Sequence, residues 1–176
     1  MQTVKIVITG PFSAGKTEFI STISEIDVVS TERKITDDAR GVKAETTVAM
    51  DFGRITVDEE LVLFLFGTPG QDRFNFMWDI LSEGMLGFVV LVDSARPDTF
   101  REAKVIVDRF RRYSPTPYVI AANKQDQQDA WPPEDLRVAL RVADNIKVLS
   151  CVATDKESVK NVLLELLYSI RDSLPE

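Results

Sequence analysis

Apolar positions along this chain fall into short continuous runs separated by stretches of helical spacing. Val4-Lys5-Ile6-Val7-Ile8 is an apolar, β-branched run that predicts a buried strand, and Phe19, Ile20 and Ile23 then recur as on one helix face. Asp27 to Lys43 is polar without steady periodicity and reads as a mobile loop. Thr47 to Val57 predicts a strand, Asp58-Glu59-Glu60 a turn, and Leu61 to Phe66 a second strand, so the two form an antiparallel hairpin. Leu61 to Phe66 is apolar at every position, which places it inside a sheet covered on both faces. Arg73 to Leu81 predicts a short helix, and Gly84 and Gly87 loosen the stretch beyond it. Phe88 to Val92 is another buried strand, ending at Asp93. Asp98 would cap a helix from Thr99 to Tyr113, whose Phe100, Ala103, Val107 and Phe110 share a face. Tyr118 to Ala122 is a strand, Pro132 and Pro133 open a helix to about Val142, and Ile146 to Leu149 is a last strand. Thr154-x-x-Glu157 has the capping-box form ahead of a helix over about Ser158 to Ser173. The alternation predicts one α/β domain over residues 1–176: a mostly parallel six-stranded sheet with one antiparallel strand and helices on both faces.

Between the first strand and the first helix lies Gly10-Pro11-Phe12-Ser13-Ala14-Gly15-Lys16-Thr17, which has the form G-x-x-x-x-G-K-[ST]. Strand, glycine loop and helix make this a P-loop. Backbone N–H groups from Gly10 and Ser13 to Lys16 would cradle phosphate oxygens, helped by the helix N-terminus. Lys16 would neutralise the terminal phosphates and the Thr17 hydroxyl would ligate Mg²⁺.

Composition narrows the partners. The 176 residues carry a net charge of -7, which argues against a nucleic-acid surface and against a polybasic membrane anchor. Cys151 is the single cysteine, so no internal disulfide forms, which fits a reducing cytoplasm. No apolar run reaches membrane-spanning length, and Gln2 is not the glycine that N-myristoylation requires, so no intrinsic membrane anchor is expected. With no histidine, histidine-based catalysis is excluded.

Ligands of open α/β sheets bind at the carboxyl ends of the strands. The P-loop, Gly67-Thr68-Pro69-Gly70-Gln71, Asn123-Lys124-Gln125-Asp126 and Val152-Ala153-Thr154 all come after predicted strands, so distant parts of the chain converge on one rim. Together these motifs resemble a small Ras-like GTPase over essentially the whole chain. The resemblance implies a switch that binds GTP or GDP with Mg²⁺ and hydrolyses GTP slowly. Asn123-Lys124-Gln125-Asp126 matches the N-K-x-D guanine motif. An aspartate at Asp126 accepts from the guanine N1–H and exocyclic amine, a pair that adenine does not offer. Asn123 would brace the loops, the Lys124 stem would cover the base, and Ala153 resembles the alanine of the S-A-K motif, although Val152 and Thr154 replace its neighbours. Thr47, with Thr46 a near-equal candidate, resembles the switch I threonine that ligates Mg²⁺ when a γ-phosphate is present. Gly70 resembles the switch II glycine, and Gln71 the glutamine that positions the attacking water. The implied switches are Asp37 to Thr47 and Gly67 to about Leu81, with Arg40 and Arg73 as internal arginine candidates.

Three departures stand out. The family's D-x-x-G becomes Gly67-x-x-Gly70, so the usual Mg²⁺-linked aspartate is missing. Mg²⁺ affinity in the GDP state is then expected to be modest, unless Asp51 supplies a carboxylate through water. Phe12 stands at a P-loop position that is glycine in Ras, where a side chain can crowd the glutamine. Pro11-Phe12 stiffens the loop. In these features the chain looks most like the prokaryotic MglA and Rup branch, whose members commonly work with roadblock/LC7-type partners. The reading competing with a catalytic switch is a nucleotide-bound scaffold with negligible hydrolysis. Effector, exchange factor and activating protein are not named by the residues.

Overall fold

The computed structural model describes residues 1–37, 44–69 and 76–175. Its seven strands are β1 (Gln2–Thr9), β2 (Val29–Asp37), β3 (Ala44–Thr56), β4 (Leu61–Gly67), β5 (Gly87–Asp93), β6 (Tyr118–Asn123) and β7 (Val148–Ser150). Its helices are α1 (Lys16–Ile23), α2 (Phe76–Ser82), α3 (Phe100–Tyr113), α4 (Pro133–Leu140) and α5 (Lys156–Ser173). The strands lie in the order β2-β3-β4-β1-β5-β6-β7. β4, β1, β5, β6 and β7 run parallel, and β3 alone runs against its neighbours. The expected α/β sheet, with its one antiparallel strand and helices on both faces, is present.

Strand alternation divides the core into two layers. Val4, Ile6 and Ile8 of β1, Val89 and Leu91 of β5 and Val119 and Ala121 of β6 face one way. They pack on Phe19, Ile20 and Ile23 of α1 and on Val159, Val162, Leu163 and Leu166 of α5. Val7, Phe88, Val90, Val92, Ile120 and Ala122 face the other way, against Trp78 of α2, Phe110 and its neighbours on α3, and Leu136 and Leu140 of α4. Strands buried on both faces read as the continuous apolar runs seen in the sequence.

The structure adds a seventh strand. Val29–Asp37, within the stretch read as a mobile loop, pairs with β3 from Val29↔Phe52 to Asp37↔Ala44; residues 38–43 of that stretch lie outside the described residues. A polar edge strand draws its stability from the ladder to its neighbour, so no apolar period announces it. Two caps also differ. Thr99, not Asp98, occupies the N-cap of α3, and Asp98 instead pairs with Arg96 at 2.9 Å, beside a single 3₁₀ turn over Pro97–Thr99. At α5 the cap is Asp155, whose Oδ1 accepts from the Glu157 N–H at 3.3 Å, in place of a Thr154 box. α4 stops at Leu140, short of Val142, because Arg141 adopts left-handed φ 52 and turns the chain. α2 begins at Phe76, with residues 70–75 outside the described residues. Among the described residues no helix is long and apolar enough to cross a membrane.

Candidate functional site

The site lies where β1, β4, β5, β6 and β7 end. Gly10, at φ 146, turns the chain out of β1; a Cβ there would stand 2.3 Å from the Leu91 carbonyl oxygen. Gly15, at φ 105, turns it into α1, and a Cβ there would lie 2.4 Å from Asn123 Nδ2. Both positions need glycine for conformation and for close approach. The loop between them folds around Lys16, whose Nζ donates to the carbonyls of Gly10 at 2.7 Å and Pro11 at 2.9 Å. Burial pushes the Lys16 ammonium down to about 8, against the pull of Glu102 and then Asp51. A phosphate beside it would favour the charged form.

Asn123, at the end of β6, is the brace the motif implies. It is buried, its Nδ2 donates to the Ala14 carbonyl at 2.8 Å, and its Oδ1 accepts from the Ala153 N–H at 2.9 Å. One side chain therefore ties the P-loop to the loop after β7. Thr22 of α1 adds a bond from its Oγ1 to the Ala153 carbonyl at 2.6 Å. Lys124 adopts left-handed φ 63, and its Nζ lies 2.8 Å from Asp93 Oδ2 and 3.4 Å from the Ser13 carbonyl. Asp126 is exposed at the rim beyond it. The backbone beneath is held by Gln125 N–H donating to the Cys151 carbonyl and Cys151 N–H to the Ala122 carbonyl, at 3.2 and 3.0 Å. Cys151 is buried in the core, and that burial pushes its thiol up to about 11, which disfavours the reactive thiolate.

On the β4 side, Thr17 Oγ1 donates to Asp51 Oδ2. Asp51 and Gly67 are register partners across β3 and β4. A Cβ on Gly67 would lie 3.3 Å from Asp51 Cβ and 3.0 Å from Ile20 Cδ1. The carboxylate of Asp51 thus stands over the position that the missing switch II aspartate leaves open. An acidic oxygen therefore sits beside Thr17, as the alternative reading of Asp51 as a substitute carboxylate requires. A hydroxyl and a carboxylate are hard oxygen donors of the kind Mg²⁺ takes, so the residues fit the ion. Among the described residues there is no group of three or more acidic or thiol side chains that could hold a cation. Next to it, Thr68 Oγ1 donates to Thr9 Oγ1 at 2.9 Å, both buried, and Trp78 Nε1 donates to the Pro69 carbonyl at 3.3 Å. These two contacts anchor the start of the second glycine loop to β1 and α2. A cleft of about 600 Å³ opens among Phe12, Lys16, Thr17, Asp51, Pro69 and Lys124, with Phe12 exposed at its edge.

The structure therefore brings together Gly10, Ser13, Ala14, Gly15, Lys16, Thr17, Asn123, Lys124, Asp126 and Ala153. Thr47 is a β3 residue paired with Lys34, its Cα about 13 Å along the strand from that of Asp51, and its side chain lies outside the described residues. Gly70, Gln71, Arg73 and Arg40 also lie outside them. Sequence reasoning passed over the Thr9–Thr68 hydroxyl pair and the partnership of Asp93 with Lys124. The only signal for Asp93 was an acidic residue closing an otherwise apolar strand.

A glycine loop at the end of β1 that closes around a lysine, with an N-K-x-D loop locked to it, defines a P-loop protein of the Ras-like G-domain fold. The chain belongs to the family described as conserved hypothetical ATP binding protein, which matches residues 26–173 and so begins beyond the P-loop. An uncharacterized protein of Methanocaldococcus jannaschii is 31% identical over 126 residues, covering 72% of this chain and 73% of the relative. ADP-ribosylation factor-like protein 3 of Saccharomyces cerevisiae is 28% identical over 169 residues, 90% of this chain and 81% of the relative. The Ras-related protein Rab-3D of Mus musculus is 28% identical over 181 residues, 98% of this chain and 76% of the relative.

Proposed function

We propose that this chain is a guanine-nucleotide switch that binds GTP or GDP with Mg²⁺ and hydrolyses GTP slowly. The observation that carries the reading is Asn123, which joins the P-loop and the Ala153 loop to the loop bearing Asp126. The glycine loop and the exposed Asp126 are thereby held at one rim, which supports a reading of phosphate and base binding side by side. Lys16 and the amides of Ser13, Ala14 and Gly15 bind the phosphates. Thr17 and Asp51 would hold Mg²⁺, with Thr47 joining in the GTP form, and the ion would supply charge against the phosphate oxygens. Lys124 covers the base and Asp126 selects it. Gln71 orients water, and Gly70 donates its N–H to the γ-phosphate. Loss of that phosphate releases the two switches and changes the surface a partner meets.

The family's description names ATP, whereas Asn123-Lys124-Gln125-Asp126 favours guanine on hydrogen-bonding grounds. Competition between GTP and ATP for a fluorescent GDP analogue decides between them. Asp126→Asn is expected to weaken GTP binding by roughly 2–4 kcal/mol, the loss of a charged bidentate hydrogen bond. It should also shift preference towards xanthosine nucleotides, whose added carbonyl suits an amide donor. ATP binding as tight as GTP in the wild type would reject the guanine assignment.

A second reading, a scaffold that holds nucleotide without turning it over, is favoured by the exposed Phe12 side chain at the cleft edge. Single-turnover hydrolysis separates the two. Gln71→Leu should leave GTP affinity intact and slow turnover by about 10²-fold or more, because the glutamine acts on water. An unchanged rate removes Gln71 from the mechanism. The Gly67-x-x-Gly70 form supports a place in the MglA and Rup branch and, with it, a roadblock/LC7-type partner and a cytoplasmic setting. A pull-down comparing the GDP and GTP-analogue forms tests the partner.

A further inference from the structure

The buried carboxylate at the tip of β5 belongs to neither the phosphate loop nor the base motif. Asp93 is 5% exposed at its side chain, and its two oxygens are used differently. Oδ1 accepts from the Ala95 N–H at 3.0 Å, which fixes the rotamer in a turn of the chain's own backbone. Oδ2 then points across to β6, where Lys124 Nζ meets it at 2.8 Å. Lys124 reaches this position because its φ of 63 turns the side chain away from the line of β6, and the same ammonium lies 3.4 Å from the Ser13 carbonyl. One cation thus spans the end of β5 and the P-loop, with its four-carbon stem lying between them. A lysine without such a tether loses rotamer freedom when a ligand arrives, whereas one held beforehand does not.

We propose that Asp93 is a positioning residue for nucleotide retention: it holds the Lys124 ammonium against the P-loop so that the lysine stem is preformed as one wall of the base site. This rests on the nucleotide site proposed for the rim. Asp93 touches no ligand itself; it acts through Lys124, and its loss should appear in the rate of nucleotide release more than in the choice of base.

Release of N-methylanthraniloyl-labelled nucleotide from the full chain tests this with a double-variant cycle of Asp93→Asn, Lys124→Ala and the pair. Asp93→Asn is isosteric and keeps an acceptor for the Ala95 N–H, but it removes the charge and turns an NH2 donor, not an acceptor, towards the Lys124 ammonium. Each single change should speed release about tenfold, the loss of one charge-assisted hydrogen bond. The double variant should release no faster than Lys124→Ala alone, since both changes remove one tether. The thermal midpoint of Asp93→Asn should stay near that of the wild type, which a purely structural role for Asp93 would not allow. Unchanged release in Asp93→Asn, or rates that multiply in the double variant, would overturn the proposal. Should Asp93→Asn not fold, Lys124→Met carries the test: it keeps an unbranched apolar stem of similar length and removes the ammonium, and release at the wild-type rate would equally overturn it. The cycle is run with whichever labelled nucleotide, GDP or ADP, the wild type retains. Retention of ADP alone sinks the guanine reading and leaves the Asp93 test intact. Retention of neither sinks both.

Discussion

Asn123→Ala should cost roughly 2–5 kcal/mol of stability, because it strands two buried backbone groups at once. The Ala14 carbonyl loses its donor at 2.8 Å and the Ala153 N–H loses its acceptor at 2.9 Å, and Asn123 itself is 1% exposed. Removing one partner of a buried hydrogen bond exacts the desolvation of the group left behind, and water has little access here. Against a typical domain stability of about 5–15 kcal/mol the loss is large. Nucleotide affinity should fall with it, since Ala14 belongs to the proposed phosphate cradle and Ala153 to the proposed base side. Urea unfolding in the absence of nucleotide measures the first effect, and release of labelled GDP the second. Lys124→Ala, at a residue that is only part-buried, is the comparison: it should affect release while costing far less stability. A stability loss under about 1 kcal/mol in Asn123→Ala would mean that the bridge does not hold the loops together.

Asp51→Ala should raise the Mg²⁺ concentration needed to retain GDP by about 10- to 100-fold, the range seen when a carboxylate supporting a metal ligand is removed. Thr17 Oγ1 donates to Asp51 Oδ2, so the proposed ligand hydroxyl loses its orienting partner as well as the nearby charge. The location of this carboxylate is a consequence of register. Asp51 faces Gly67 across the β3–β4 ladder, and a Cβ at Gly67 would approach Asp51 Cβ to 3.3 Å. Gly67→Asp alone should therefore harm the protein, by crowding Asp51 and by setting two carboxylates side by side. The exchange Asp51→Gly with Gly67→Asp should recover Mg²⁺-dependent retention, because one carboxylate and one open position remain, on opposite strands. Titration of Mg²⁺ against GDP release in the four proteins reads this out. If Asp51→Ala matches the wild type, Asp51 has no role at the cation. If Gly67→Asp alone tightens retention, the site lacks a carboxylate as it stands.

Much of this was legible in the residues. Val4 to Ile8, Phe88 to Val92 and Tyr118 to Ala122 are strands because strands covered on both faces must be apolar throughout, and α3 and α5 carry their buried residues at helical spacing. The P-loop and Asn123-Lys124-Gln125-Asp126 were recognisable because backbone curvature and hydrogen-bond chemistry restrict the types allowed at fixed short spacings. β2 was not legible. Its residues are polar, and what makes Val29–Asp37 a strand is the ladder to β3, which no pattern within the segment encodes. The caps of α3 and α5 were misplaced by one residue, because Asp98 and Thr154 are as able to cap as the neighbours that hold those positions.

The sequence by itself determined the alternation of elements and placed the glycine-loop and N-K-x-D motifs after strands, since each rests on residues within about one turn or strand of one another. Tertiary structure alone decided that Asn123 spans 109 residues to reach Ala14, that Asp93 holds Lys124 across 31, and that Asp51 of β3 occupies the space opposite Gly67. The physical reason is that periodicity and turn chemistry are local, whereas the partner of a buried polar group is set by strand order and register. A shift of one residue in the β3–β4 register would carry Asp51 to the opposite face of the sheet, away from Thr17.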